Sequence, residues 1–489
     1  MDDVVATTAG KVRGRLAAEG VRAFRGIPFA APPFGALRLR APRPAPPWDG
    51  VREAADFGPV PPQPTQATSI SGGPAPALNF GADILTANVF TPEGGGAGRP
   101  VFVYIYGGAY TQGFANNYDP SELVRAGLVA VTFNYRVGFE GFGHAPGAPD
   151  NRGLLDQVAA LRWVRENIAA FGGDPGNVTV AGESAGAGSV VALCAMPVAR
   201  GLFRRAVAHS VPCEFISLAQ ATETGALIAA AAGVEATVDA LAGVPPEKLV
   251  AAGGQVLAGF RDEADAGSRN YGVTLYSPVV DGEVLPRNPL AALRAGDAPD
   301  LLLLHTTEEF RLFTVLGLAP VPGTEEELAA VAAAYGMTRF AEYRAQVPDL
   351  ALPDLYARFV TDYLFGEYTT RLAEAHAAAG GKAYLARFAW RSPAFGGALG
   401  ACHALDLAFA FGLAKGIPTE MFLGGPAGPA EHALAGRMVR AWVDFATTGD
   451  PGWPAATPDR LPVKIWDTED DLVTDTGDGL RALWRDFTY

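Results

Sequence analysis

Read for the spacing of apolar and polar positions, the chain opens with short Val/Phe runs broken by turn residues, as in Val21-Arg-Ala-Phe-Arg-Gly-Ile-Pro-Phe29. It becomes proline-rich from Pro32 to Pro62, which predicts an N-terminal antiparallel strand set followed by an extended wrap over the surface. From Pro61 to Gly81, Pro, Ser, Thr, Gly and Gln dominate, and a loop bordering the site is expected. Three near-continuous apolar runs follow, Val101-Phe-Val-Tyr-Ile-Tyr106, Leu128-Val-Ala-Val-Thr-Phe-Asn134 and Val178-Thr-Val-Ala181. Such runs suit strands buried on both faces of a parallel sheet. Between the last two, Leu154, Val158, Leu161, Val164 and Ile168 recur at helical spacing, so strand, helix and strand form a βαβ unit. From about 215 to 380 the pattern is mostly helical, with helices over 325–335 and 355–379 and one strand-like run at Leu301-Leu-Leu-Leu-His305. An amphipathic helix is expected near Arg437 to Thr447. The fold class is therefore α/β: a mostly parallel central sheet flanked by helices, with antiparallel strands at the start and a helical insertion, all in one domain over 1–489.

Composition narrows the function. A net charge of −14 without a basic block disfavours nucleic acid and leaves a neutral, largely apolar small molecule as the expected partner. Every apolar run is interrupted before the ~18 residues of a transmembrane helix, so no membrane span is expected. Met1-Asp-Asp-Val-Val lacks the basic start of a secretory signal, and Cys194, Cys213 and Cys402 are widely spaced with no C-x-x-C pair. Both point to a cytoplasmic protein. Arg in excess of Lys and abundant Ala suggest a GC-rich bacterial genome. No His/Cys/Asp spacing resembles a metal-ligand set and no cofactor is called for. No oligomeric state is read from the sequence.

Gly182-Glu-Ser-Ala-Gly186 fits G-x-S-x-G in the context that motif requires, a buried strand ending at Ala181 and a small-residue helix beginning near Ala185. Such an elbow exposes the hydroxyl of Ser184, the candidate nucleophile, while glycines at 182 and 186 let strand and helix approach closely. A dinucleotide loop is excluded because the G-x-G-x-x-G order is absent. Gly107-Gly-Ala109 directly follows a predicted strand, as an oxyanion loop does. Backbone donors from Gly108, Ala109 and Ala185 would make a three-point hole. Triads on this fold run serine, acid, histidine. Among the six histidines, His403 is the best base, at a glycine-bearing loop that meets an apolar segment. His376 and His432 have the pattern of solvated helix faces. Glu308 and Glu309 both follow the Leu301–Leu304 run, and chain logic does not choose between them.

These motifs together resemble the type B carboxylesterases, the group that includes the cholinesterases, and especially their bacterial members. The resemblance rests on Phe24-Arg-Gly-Ile-Pro-Phe-Ala-Ala-Pro-Pro-Phe-Gly35, Asn151-Arg-Gly-Leu-Leu-Asp-Gln157, and Phe171-Gly-Gly-Asp-Pro175 running into Gly182-Glu-Ser-Ala-Gly186. It implies the α/β-hydrolase fold and a Ser-His-Glu triad that cleaves small to medium esters through an acyl-enzyme. Thr307-Glu-Glu-Phe310 aligns so that Glu309 takes the acid's role, and Gly400-Ala-Cys-His-Ala-Leu-Asp-Leu407 supports His403. The resemblance further implies a buried Arg136–Asp156 ion pair and a supporting hydroxyl at Ser210. Ala109 stands where a third glycine is common, so poor turnover of tertiary-alcohol esters is expected. Glu140 is expected near the site wall. Tyr110, Phe114, Tyr118, Phe310, Phe313 and Phe409 are candidate walls of an apolar substrate gorge. Protonation of His403 should end activity near a pKa of about 6.5 to 7. Two other functions use the same features: an acyl-transferring or lactone-forming enzyme that excludes water, and a non-catalytic interaction module on the same fold.

Overall fold

The computed structural model describes residues 3–64, 79–262, 272–296, 298–414 and 419–489. Most of the Pro61–Gly81 loop lies outside them. An eleven-stranded sheet organises the chain. In sequence order its strands are β1 (Arg15–Ala18), β2 (Val21–Pro28), β3 (Thr86–Pro92), β4 (Arg99–Ile105), β5 (Val129–Phe133), β6 (Gly173–Glu183), β7 (Arg205–His209), β8 (Asp300–Thr306), β9 (Ala383–Phe388), β10 (Leu461–Trp466) and β11 (Asp471–Asp475). Their spatial order is β11-β10-β9-β8-β7-β6-β4-β5-β3-β2-β1. From β5 to β10 every pairing is parallel, and the antiparallel pairings are confined to the two ends. The expected mostly parallel sheet, flanked by helices and with antiparallel strands at the start, is what the chain builds.

Side-chain pattern explains the layers. Val101 to Ile105 and Val129 to Phe133 are buried on both faces, because helices cover the sheet on each side. Helix α1 (Arg152–Asn167) crosses between β5 and β6, with Leu154, Val158, Leu161 and Val164 at no more than 2% exposure. A short 3-10 turn ending at Phe171 extends it, and Gly172 (φ 91) closes it in the left-handed conformation that terminates helices. Helix α2 (Ala185–Ala195) leaves β6 at the candidate elbow. The stretch expected as one helix over 355–379 is interrupted: Leu352–Thr361 passes through a π-helical turn, Asp362–Gly366, into α3 (Glu367–Ala378). Two further helices, α4 (Leu405–Ala410) and α5 (Pro429–Thr448), follow β9. No helix among the described residues is long and apolar enough to cross a membrane.

Two buried ion pairs hold the sheet's surroundings. Arg136 and Asp156 are fully buried, and Arg136 donates side-on from Nε and Nη2 to the two carboxylate oxygens at 2.7 Å, as the family resemblance implied. Arg38 pairs with Glu140 at 2.6 Å and also donates to the carbonyls of Ala242 and Val244. Glu140 is thus held by a structural partner. His376, read as solvated, is 1% exposed beneath Gly381, so its helix face is internal.

Candidate active site

The parallel strands deliver the chemistry at one edge, outside their carboxyl ends. Glu183, His209 and Leu304 are register neighbours on β6, β7 and β8. The chain leaving each strand is pinned to the next: the Ser184 amide donates to His209 O at 2.9 Å and the Ser210 amide to Leu304 O at 2.6 Å. Ser184 sits at φ 56, ψ −126, a strained conformation for a residue with a Cβ. The neighbouring glycines are obligatory there. A Cβ on Gly182 would lie 2.5 Å from Gly186 C, and one on Gly186 would lie 2.1 Å from Ile105 O. Ser184 is half-buried while Glu183 and Ala185 are fully covered, so the turn presents its hydroxyl outward.

Glu309 follows β8 by three residues and is fully buried. Its Oε1 accepts from Ser210 Oγ at 2.6 Å and from the Thr306 amide at 2.7 Å, and its Oε2 lies 2.6 Å from His403 Nδ1. An acceptor so placed fixes the proton of His403 on Nδ1. Glu308 is turned elsewhere, onto Arg311, Arg391 and the Ala401 amide. The two loops are also joined by main-chain bonds, Glu308 N to Ala401 O at 3.0 Å and His403 N to Glu309 O at 3.1 Å. Phe313 and Phe365 pack on the imidazole with centroids 5.3 and 4.7 Å away.

The other ring nitrogen, His403 Nε2, stands 3.0 Å from Glu183 Oε1, off the direction of a good hydrogen bond. The Ser184 hydroxyl is not hydrogen-bonded to it, so the relay is joined at its carboxylate end and open at the serine, as resting sites often are. Glu183 is buried, and its partners are charged. Burial lifts its carboxyl, His403 pulls it down, and Asp406 and Glu309 lift it further, to about 8. For His403 burial favours the neutral ring, but Glu183 and Glu309 outweigh it and raise its pKa to about 9. Glu183 and His403 therefore share a proton as a coupled pair, and the pH at which the imidazole sheds it lies above the 6.5 to 7 expected from the sequence.

Asp406 shapes this field from behind. It is fully buried and bonds His209 Nδ1 at 2.5 Å. Trp442 donates its indole N–H to His209 Nε2 at 3.0 Å. An indole only donates, so His209 must carry its proton on Nδ1 and give it to Asp406. Sequence reading missed Glu183, Asp406 and Phe365. The signal for the first was available: an acid inside G-x-S-x-G at the end of a buried strand has no neutral reason to be there.

Gly107 places the oxyanion loop against the elbow, since a Cβ on it would lie 3.0 Å from Ser184 Cβ. The N–H groups of Gly108, Ala109 and Ala185 meet no acceptor among the described residues, which leaves them free for a substrate oxygen. Gly108 (φ 116) and Ala109 (φ 54) both take left-handed backbone, a cost for alanine. Thr274 Oγ1 and Thr111 Oγ1 hold the Ala109 carbonyl at 2.7 and 3.1 Å. Of the aromatic candidates, Phe310 is buried and stacks on Phe313 at 5.0 Å, and Phe313 reaches His403. Phe114 and Tyr118 are half-buried beyond the oxyanion loop. Like Phe310, two others are core residues and not walls. Tyr110 is 2% exposed against Phe142 and the backbone of Gly188, and Phe409 is fully buried between Phe388 and Trp390.

Comparison with known proteins gives one answer. A model of the Carboxylesterase family matches residues 1–470. A para-nitrobenzyl esterase of Bacillus subtilis (strain 168) is 35% identical over 497 residues, covering 96% of this chain and 96% of its own. A phenmedipham hydrolase of Pseudarthrobacter oxydans is 34% identical, covering 98% and 96%. Among solved structures, a thermophilic para-nitrobenzyl esterase superimposes with a TM-score of 0.88 at 34% identity, covering 99% of this chain and 100% of that one. A Geobacillus stearothermophilus carboxylesterase gives 0.84 at 35%, with coverage of 99% and 100%.

Proposed function

Because the chain belongs to the carboxylesterase family and is a serine hydrolase of carboxylic esters, we propose that Ser184 is its nucleophile, His403 its general base and Glu309 the acid that orients the base. Ser184 attacks the ester carbonyl as His403 Nε2 takes the hydroxyl proton. The carbonyl oxygen, now negative, is met by the amides of Gly108, Ala109 and Ala185, and the alcohol leaves with the proton from His403. Water, activated by the same imidazole, then releases the acid from Ser184. Glu309 favours the imidazolium that forms at each step. The observation that carries this reading is the 2.6 Å contact of Glu309 with His403 Nδ1 on the same sheet edge as a strained, outward Ser184.

The substrates that fit are small to medium, largely apolar esters, a reading supported by the half-buried Phe313 against the imidazole. Relatives named for a para-nitrobenzyl ester and for phenmedipham make those two compounds the first to assay. We read residues 1–489 as one domain, since the sheet draws strands from Arg15 to Asp475. A cytoplasmic setting is supported by three cysteines that form no disulfide, and a bacterial source by the relatives from Bacillus subtilis and Pseudarthrobacter oxydans. The test is covalent. A phosphonate ester should add one phosphonyl group to Ser184 and stop turnover in proportion. Ser184→Ala should lose both label and activity, by ~10⁴-fold or more in kcat. Glu309→Gln should lose far more than Glu308→Gln. Label on another residue, or a fully active Ser184→Ala, would overturn the assignment.

A further inference from the structure

A second cavity of about 420 Å³ opens beside the turn Asp362–Gly366, between the ends of β8 and β9 and the edge strand β11, and none of Ser184, Glu309 or His403 lines it. Its floor carries His305, which is 7% exposed. His305 Nδ1 lies 2.8 Å from Thr306 O. A carbonyl only accepts, so the ring proton is on Nδ1 and Nε2 is left as a lone pair. That Nε2 is buried and has no partner among the described residues, and neither has the Nε–H of Arg387 in the same wall. Burial and the guanidiniums of Arg387, Arg358 and Arg481 keep the His305 ring uncharged, with its pKa lowered to about 3.

Most charges of this wall are already paired, and Asp478 stands exposed at its edge. Arg481 bonds Glu367 at 2.8 Å and Asp475 at 2.7 Å, Arg387 bonds Asp475, and Arg358 bonds Asp362 at 3.0 Å. What remains for a ligand is the His305 acceptor, the N–H donors of Arg387 and Trp484, threonine hydroxyls and the Asp478 carboxylate. A cation would face three guanidiniums, an anion would meet the Asp478 carboxylate and has no proton to give the lone pair, and an apolar guest would leave the orphaned atoms of His305, Arg387 and Trp484 unsatisfied. A hydroxyl pair meets the demands of His305 and Arg387, one O–H donating to His305 Nε2 and one oxygen accepting from Arg387 Nε–H. We propose that this cavity binds a neutral polyhydroxylated small molecule, a sugar or polyol, at a site separate from ester hydrolysis.

The experiment is saturation-transfer NMR on the full-length enzyme with methyl glucoside and with glycerol, and with cyclohexanol as the comparator of similar bulk carrying a single hydroxyl. Methyl glucoside should give a saturable signal at millimolar concentration, stronger than that of cyclohexanol. His305→Phe and Arg387→Met should each weaken it about tenfold, the effect of losing one buried hydrogen bond. Thr307→Val replaces either variant should that variant lose its fold, and it should weaken binding in the same direction. Enzyme phosphonylated at Ser184 should bind as before. The proposal is overturned by an absent or non-saturable signal, by cyclohexanol binding equally well, by variants that bind unchanged, or by loss of the signal on blocking Ser184.

Discussion

Replacing Glu183 by Gln keeps the size of the side chain and removes the charge that faces His403 Nε2 across 3.0 Å. At that distance, with an effective dielectric near 20, the attraction for an imidazolium is of order 5 kcal/mol. Burial opposes it. The net lift, from the ordinary 6.5 to about 9, corresponds to about 3 kcal/mol in favour of the protonated ring. The sign follows directly. A raised pKa means that the base is idle at low pH and becomes available only as pH rises, so kcat/KM of the wild type should climb through neutrality into the alkaline range. In Glu183→Gln burial works against Glu309 and Asp406 only, and the acid limb should move down by ~2 pH units. The same charge favours the imidazolium of the transition state, so the plateau should fall, by roughly tenfold. The assay is the pH dependence of kcat/KM for para-nitrophenyl acetate, read at the isosbestic wavelength of nitrophenol. An acid limb that stays in place or moves upward would refute the shared-proton account.

Other outcomes follow from single contacts. Ser210→Ala removes a 2.6 Å bond to Glu309 and should lower kcat about 10- to 100-fold with KM nearly unchanged, measured by steady-state kinetics, since a bond to a carboxylate is worth about 1.5–3 kcal/mol. Ala109→Gly relieves a left-handed alanine and clears a methyl from the oxyanion loop. It should raise the rate on tert-butyl acetate relative to ethyl acetate, and rapid wild-type hydrolysis of the tert-butyl ester would count against the steric reading. Arg136→Met leaves Asp156 charged and alone in the core. A loss of about 3–5 kcal/mol is expected, visible as a lowered denaturation midpoint, and Asp156→Leu in the same chain should recover part of it.

Much of this was legible because it is local. Strands that are apolar from end to end, the βαβ spacing around α1 and the glycine-flanked Ser184 each carry their cause within a dozen residues. What escaped notice depends on distant partners. Strand β9, Ala383-Tyr-Leu-Ala-Arg-Phe388, has the composition of a helix, and only pairing with β8 and β10 makes it a strand. The interruption at Asp362–Gly366 leaves no mark in the Leu/Ala pattern, yet it belongs to the turn that seats Phe365 on His403. Glu308 and Glu309 differ in sequence by one position and in space by everything: one meets arginines at the rim, the other a serine, an amide and the imidazole. Tyr110 and Phe409 show the converse, aromatic residues near the motifs whose rings fill the interior.

The pair of main-chain bonds between the segments carrying Glu309 and His403 makes their alignment a matter of backbone stitching, cooperative and brittle. Warming would then not blunt the enzyme gradually by loosening side chains. Each molecule would be either fully competent or unzipped at that seam, so residual activity after a heat pulse should count intact molecules while the KM of the survivors stays constant.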